Sequence, residues 1–132
     1  MNSHLEQYQS FIDHLVKIRP CVLIKWVSKG WPRLDQNRRI NKFLSGLSRD
    51  EKEILGQMLQ QAKDEGIGDV LSYFDDEISL HALRVSRDGV ELAIEPYGTE
   101  LIFDWVARSA GDAWPEHQLK DSYRLEGEDE LP

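Results

Sequence analysis

One cysteine, Cys21, is the only thiol in the 132-residue sequence. A single thiol cannot form an internal disulfide, so the cysteine content gives no indication of an oxidising compartment. The first residues also lack the basic cluster and the unbroken apolar stretch of a secretory signal. The densest apolar run, residues 21–27, is interrupted by Lys25 and is far too short to cross a bilayer. These absences predict a cytoplasmic protein that has no membrane partner.

The sequence has none of the motifs that usually mark a cofactor site or an active site. A nucleophile elbow and a P-loop lysine are both absent. The nearest approach to a phosphate-binding loop is residues 66–71, which lack a third glycine and follow a helical pattern rather than a strand. We interpret this stretch as the end of one helix and the start of another. Cys21 opens an apolar run, which favours a buried, inert thiol over a catalytic one.

Histidines and carboxylates do not form a metal-binding pattern. His4 and His14 are ten residues apart, which separates them by about 80° around one helix. The acidic residues between positions 69 and 77 could hold a hard cation, but neighbours in a helix point in different directions. The sequence therefore predicts neither a metal nor another cofactor. The catalytic candidates are a histidine and four carboxylates: His81, Asp69, Asp75, Asp76 and Glu77.

Charge is distributed unevenly along the chain, whose formal net charge is −8. Residues 1–45 contain eight basic and three acidic residues, whereas residues 46–132 contain eight basic and twenty-one acidic ones. A net negative protein is repelled by nucleic acid at long range and is attracted to cationic surfaces. We therefore expect another protein as the partner, with a basic surface favoured, and no nucleic acid.

The basic stretch between residues 25 and 42 includes two tryptophans, Trp26 and Trp31. Basic and aromatic side chains together can bind single-stranded nucleic acid through phosphate contacts and stacking. Tryptophans are equally good core anchors, and the bases can face the protein's own acidic residues. As a candidate interaction surface this stretch provides Lys25, Lys29, Trp31, Arg33, Arg38 and Arg39.

Apolar residues at helical spacing predict four or five helices. Ser3-x-x-Glu6 and Ser48-x-x-Glu51 match the capping box, in which the two side chains satisfy amides at a helix start. Residues 21–28 fit a strand or a helix, and the helical surroundings favour a helix. The other predicted helices are residues 3–19, ended by Pro20; 35–47; 48–65, ended by Gly66; a short one from Asp69; and a largely buried one capped by Thr99 and followed by Gly111.

After residue 82 the apolar period changes to two, which predicts a β-hairpin. Asp88-Gly89 tolerates the positive φ angles of a two-residue turn, and Gly89 should adopt one. Turn chemistry and side-chain alternation then select the same register. The predicted pairs are Arg87 with Val90, Val85 with Leu92, and Leu83 with Ile94.

These patterns together predict an α+β fold. Residues 1–115 should form a single, mostly helical domain, with the β-hairpin around residues 81–95 packed on the helices. Residues 116–132 are acidic and should form a mobile tail. A small acidic domain without motifs is typical of a non-catalytic interaction protein, such as an inhibitor, an adaptor or a regulatory subunit. The alternatives are a small enzyme whose site is assembled from the carboxylates and the histidine, and nucleic-acid binding through the basic N-terminal third.

Overall fold

The computed structural model describes residues 3–119, and in this part of the chain it has five α-helices and one antiparallel β-hairpin. This is the predicted mostly helical α+β fold. A short 3-10 helix, Asp35–Asn37, precedes the third α-helix. The helices are α1 (His4–Lys17), α2 (Leu23–Lys29), α3 (Arg38–Ser45), α4 (Arg49–His81) and α5 (Leu101–Ser109), and the strands are β1 (Ser86–Arg87) and β2 (Val90–Glu91).

The chain divides into two compact units. Unit 1 comprises Met1–Ile18 and Gly68–Pro132, of which the structure describes residues 3–18 and 68–119. Unit 2 comprises Arg19–Ile67. Helix α4 begins in unit 2 and ends in unit 1. The acidic tail expected from residue 116 lies outside the described residues from position 120 onward, and the domain boundary at residue 115 stays a prediction.

Both predicted capping boxes start helices as expected. The Ser3 hydroxyl accepts a hydrogen bond from the Glu6 amide at 3.1 Å and so begins α1. At the start of α4 the bonds are reciprocal: the Ser48 amide donates to the Glu51 carboxylate at 2.8 Å, and the Glu51 amide donates to the Ser48 hydroxyl at 3.1 Å. The structure also confirms the helix favoured within residues 21–28, which is α2.

Gly66 does not end a helix, contrary to the prediction. Helix α4 continues through Gly66 and Gly68 and is 33 residues long, so the predicted short helix from Asp69 is part of it. An interior glycine costs a helix only about 1 kcal/mol relative to alanine, which packing can offset. Gly68 is buried, and a Cβ built on it would lie 3.6 Å from the Ile102 side chain of α5. The missing side chain therefore allows α5 to approach α4 closely.

The hairpin has the predicted register but a shorter ladder. Arg87 pairs with Val90, and the Leu92 amide donates to the Val85 carbonyl at 2.8 Å. Gly89 has a φ of 77°, as the turn requires. The hairpin is attached to the start of α1, because the Ala93 amide donates to the His4 carbonyl at 3.1 Å.

The core of unit 1 lies between α1, α4, α5 and the segment that follows the hairpin. Helix α5 is less buried than predicted, since Phe103 and Val106 are more than half exposed while Trp105 is buried. In unit 2 the buried apolar side chains among the described residues are Val27 and Leu44. In unit 1 they are Tyr8, Ile12, Leu71, Leu92, Ala93, Tyr97, Leu101 and Trp105.

A carboxylate on α1 joins this helix to α5 and to the segment after it. Asp13 accepts hydrogen bonds from Arg108 at 2.9 Å and from the indole of Trp114 at 3.1 Å. The Arg108 guanidinium lies 4.8 Å from the centre of the Trp114 ring. Burial by itself would raise the pKa of Asp13, but the bonds from Arg108 and Trp114 hold it below its usual value. The ionised form of Asp13 thus links three parts of unit 1.

We expect Gly66→Ala to stabilise the protein. A Cβ at this position would meet no heavy atom within 4 Å, and the residue lies inside a helix. The substitution should raise the free energy of unfolding by about 0.5–1 kcal/mol, because alanine loses less conformational entropy in a helix. Urea unfolding followed by circular dichroism at the helix band measures this change. A lowered midpoint would contradict a continuous α4.

We expect Gly89→Val to have the opposite effect. No heavy atom lies within 4 Å of the added Cβ, so the cost comes from the positive φ alone, which a β-branched residue tolerates poorly. The free energy of unfolding should fall by about 1 kcal/mol or more. The same urea titration compares the two variants, and an unchanged midpoint for Gly89→Val would mean that the turn is wrongly assigned.

Candidate functional site

Unit 2 carries a loop between α2 and α3 whose shape is set by reciprocal hydrogen bonds. The Trp31 amide donates to the Asn41 side-chain oxygen at 2.8 Å, and the Asn41 side-chain amide donates to the Trp31 carbonyl at 3.2 Å. Gly30 ends α2 with a φ of 95°. The Trp26 and Trp31 rings meet edge to face, with their centres 5.3 Å apart. Trp31 is consequently held at a defined position while remaining partly exposed.

The start of α2 is anchored on α4 by polar contacts. Arg19 forms a two-bond ion pair with Asp64, with both bonds at 2.9 Å. The Gln60 side chain accepts from the Cys21 amide at 3.0 Å and donates to the Arg19 carbonyl at 2.9 Å. The hydrogen bonds from Arg19 lower the pKa of Asp64, so the ionised pair is favoured. Cys21 is half-buried rather than buried, which corrects the sequence-based interpretation.

A basic groove of about 630 Å³ lies beside this loop. Its lining includes five cationic side chains and one carboxylate, Asp35, which accepts from Arg38 at 2.7 Å. Both members of that ion pair are largely exposed, so the pair contributes little to stability. Trp31 and Leu34 provide apolar surface in the same groove, and Leu34 is more than half exposed. The cations are Lys29, Arg33, Arg38, Lys42 and Lys52.

Four of the six residues predicted as an interaction surface line this groove: Lys29, Trp31, Arg33 and Arg38. Lys25 and Arg39 are exposed but belong to other parts of the surface. The sequence reasoning missed Lys42, although it lies one helical turn after Arg38 and so on the same face of α3. Lys52 comes from α4, and no local pattern could have placed it beside the loop.

Unit 1 contains a polar centre around a carboxylate of α4. Asp75 is only 7% exposed, and its two oxygens accept the amide hydrogens of Leu101 at 2.9 Å and Ile102 at 3.1 Å. Asp75 therefore caps α5, whereas Thr99 was predicted to do so. A carboxylate suits a helix start because the first amides lack partners there and carry partial positive charge. Burial raises the pKa of Asp75, and the two amide bonds oppose that rise.

A second buried carboxylate, Asp104 on α5, accepts hydrogen bonds from two hydroxyl groups. The Thr99 hydroxyl donates to one of its oxygens at 2.6 Å, and the Tyr8 phenol of α1 donates to the other. Burial raises the pKa of Asp104, and burial together with the bond to Asp104 raises the pKa of Tyr8 far above its ordinary value. Thr99 thus holds Asp104 instead of capping the helix. This arrangement ties α1 to α5.

The predicted catalytic candidates do not converge on one point. His81, Asp69 and Asp76 are exposed, and Glu77 is half-buried. Asp75 is the member of this set that takes part in a buried network, and its partners are backbone amides. Within residues 3–119 no group of three or more histidine, cysteine or acidic side chains is placed to hold a metal ion. In the same part of the chain no helix is long and apolar enough to cross a membrane.

Residues 1–116 match a protein family whose function is unknown, DUF6547. The chain belongs to this family. No curated protein and no solved structure matches it. The match covers both units and nearly all of the described residues.

We expect Tyr8→Phe to change the alkaline stability of this DUF6547 chain. The raised pKa means that the folded protein keeps the phenol proton at a pH where the unfolded chain has lost it. The free energy of unfolding should therefore fall as the pH rises above about 10. Tyr8 should account for about 1.4 kcal/mol of this fall per pH unit. Tyr8→Phe should remove this contribution.

Urea titrations at about pH 10 and pH 11 measure the difference in slope between the wild type and Tyr8→Phe. At neutral pH the variant should be less stable by about 1–3 kcal/mol, because Asp104 loses a donor. Tyr73→Phe is the matched control, since Tyr73 is more than half exposed. If Tyr8→Phe and wild type lose stability equally as the pH rises, Tyr8 is not the group whose retained phenol proton causes the loss.

Proposed function

We propose that this chain is a non-catalytic protein-interaction domain that binds an acidic segment of a partner protein in the basic groove of unit 2. One observation carries the proposal: the lining places five cations around two partly exposed apolar side chains, Trp31 and Leu34, with one carboxylate that is already paired. An acidic peptide with an apolar residue would satisfy both features. The proposal includes a cytoplasmic location, as an inhibitor, an adaptor or a regulatory subunit.

The local charge of unit 2 favours an acidic partner surface, whereas the net charge of the whole chain, taken from the sequence, predicted a basic one. Unit 2 contains ten basic and six acidic residues, whereas unit 1 contains six basic and eighteen acidic ones. Charges farther away than about 8 Å are largely screened at physiological salt. A segment seated in the groove would therefore respond mainly to the groove's own cations. The negative total would still oppose long polyanions during their approach.

The chemistry of the groove supports binding rather than catalysis. Within the described part of the chain, its polar lining consists of lysine, arginine, serine and asparagine side chains and Asp35. Asn41 is committed to holding the Trp31 backbone. A general acid–base mechanism needs a group that titrates near neutral pH next to the reacting atoms, and a row of exposed cations does not supply one. Exposed cations do give a recognition surface for carboxylates.

The test uses a fluorescein-labelled acidic peptide of about ten residues with one central leucine. Fluorescence anisotropy at physiological salt should show binding that weakens as salt rises. Replacing Arg33 and Lys42 together with alanine should weaken binding roughly tenfold, since each exposed cation contributes up to about 1 kcal/mol. The matched control is the double alanine variant of Lys25 and Arg39, which removes equal charge from exposed positions outside the groove.

Two outcomes would count against the proposal. Equal weakening in both double variants would mean that the peptide responds to net charge and not to the groove. Tighter binding of a labelled single-stranded oligonucleotide than of the peptide, lost in the Arg33 and Lys42 variant, would favour the nucleic-acid alternative. Affinity capture from native cells with wild type and both double variants as baits then identifies the partner as a protein lost only with the groove variant.

A further inference from the structure

A second groove in unit 2 lies between α2 and α4, with a volume of about 800 Å³. Ser28 of α2 and Lys52 of α4 line both this groove and the basic groove, so the two grooves adjoin at this pair of residues. We call it the α2–α4 groove. The rest of its lining is Ile24, Arg49, Glu53, Gly56, Gln57 and Gln60.

The α2–α4 groove has an apolar patch where a glycine lets α2 approach α4. Gly56 is buried, and a Cβ built on it would lie 3.5 Å from a side-chain carbon of Ile24. Ile24 therefore packs against the backbone of α4, yet it remains 37% exposed. It offers an aliphatic surface whose position is set by both helices, and a ligand that covers it gains from removing it from water.

The polar side chains of the α2–α4 groove favour a neutral ligand. Its charges nearly balance, with Arg49 and Lys52 against Glu53. The Gln60 side chain is already bonded to the backbone at the start of α2. Gln57 is exposed, and its amide can both donate to and accept from a peptide backbone. This groove thus differs from the basic groove, whose lining is strongly cationic.

We infer that the partner segment bound in the basic groove continues into the α2–α4 groove as a neutral flank, with an aliphatic side chain against Ile24 and backbone groups against Gln57. The inference rests on the proposed function, because it concerns the same partner. Its basis is the continuity of the two grooves: a chain that leaves the basic groove past Ser28 and Lys52 enters the α2–α4 groove.

Helix geometry sets the spacing of the recognition sequence. Ile24 and Ser28 are four residues apart on α2, which is about 6 Å along the helix axis. Two residues of an extended chain span this distance. The aliphatic residue should therefore follow or precede the acidic stretch by about two positions, according to the direction in which the chain binds.

The test extends the labelled acidic peptide by five residues, at its N-terminus in one series and at its C-terminus in the other. Each extension contains glycine and serine with a single leucine at its centre, and a matched extension has serine in place of the leucine. Fluorescence anisotropy should show that the leucine extension tightens binding roughly tenfold in one series, as expected for burial of an aliphatic side chain. The serine extension should leave the affinity unchanged.

Ile24→Ser tests the location. This variant should lose the gain from the leucine extension and keep its affinity for the unextended peptide. Ile40→Ser is the matched control, because Ile40 of α3 is 39% exposed and lines neither groove. It should keep the gain. An equal loss of the gain in both variants would contradict the inferred contact with Ile24.

Gln57→Trp fills the α2–α4 groove from an exposed position and serves if Ile24→Ser does not fold, as judged by circular dichroism. It should abolish the gain from the leucine extension, and a gain that survives in this folded variant would refute the inferred site.

The same titrations separate this inference from the proposed function. If the unextended peptide binds in the basic groove and neither leucine extension tightens binding, the inference is refuted and the proposed function stands. If neither the unextended nor the extended peptides bind, the proposed function fails and the inference fails with it.

Discussion

The first two amides of α5 donate their hydrogens to Asp75, and the arrangement of unit 1 depends on this contact. It fixes the start of α5 on α4, and the buried Gly68 allows the two helices to lie close together at Ile102. Once α5 is placed in this way, Asp104 can accept a hydrogen bond from the phenol of Tyr8 on α1. Two carboxylates therefore join three helices that are far apart in the sequence.

Burying these two carboxylates costs free energy. Burial raises the pKa of both Asp75 and Asp104, because an ionised group loses its hydration. Their hydrogen bonds offset part of this cost, and an amide or hydroxyl left without them would cost about 1–3 kcal/mol. Asp75 is engaged with amides and Asp104 with hydroxyls, so both hold structural elements in place.

Unit 2 is organised differently, around a surface instead of a buried polar centre. The reciprocal bonds between Trp31 and Asn41 hold the loop, and the ion pair of Arg19 and Asp64 anchors α2. With the backbone held, cations from α2, the loop, α3 and α4 line one groove. Lys52 of α4 is half-buried, and the other four cations are exposed. Exposed cations contribute little to folding and remain available to a ligand. This contrast between the units is why the proposed binding surface lies in unit 2.

The sequence by itself determined the features that arise within a few residues. Both capping boxes and the Asp88-Gly89 turn with its register depend on bonds between near neighbours, so their residue types predicted them. Gly66 was wrongly predicted as a helix end, because packing can offset the small local penalty of a glycine. Only the tertiary structure decided that Asp75 rather than Thr99 caps α5, and that Lys52 lines the basic groove. Asp75 and Leu101 are 26 residues apart, and no local periodicity encodes a contact across such a separation. Such contacts exist only when the apolar faces of the helices pack together and bring distant polar groups within hydrogen-bonding distance.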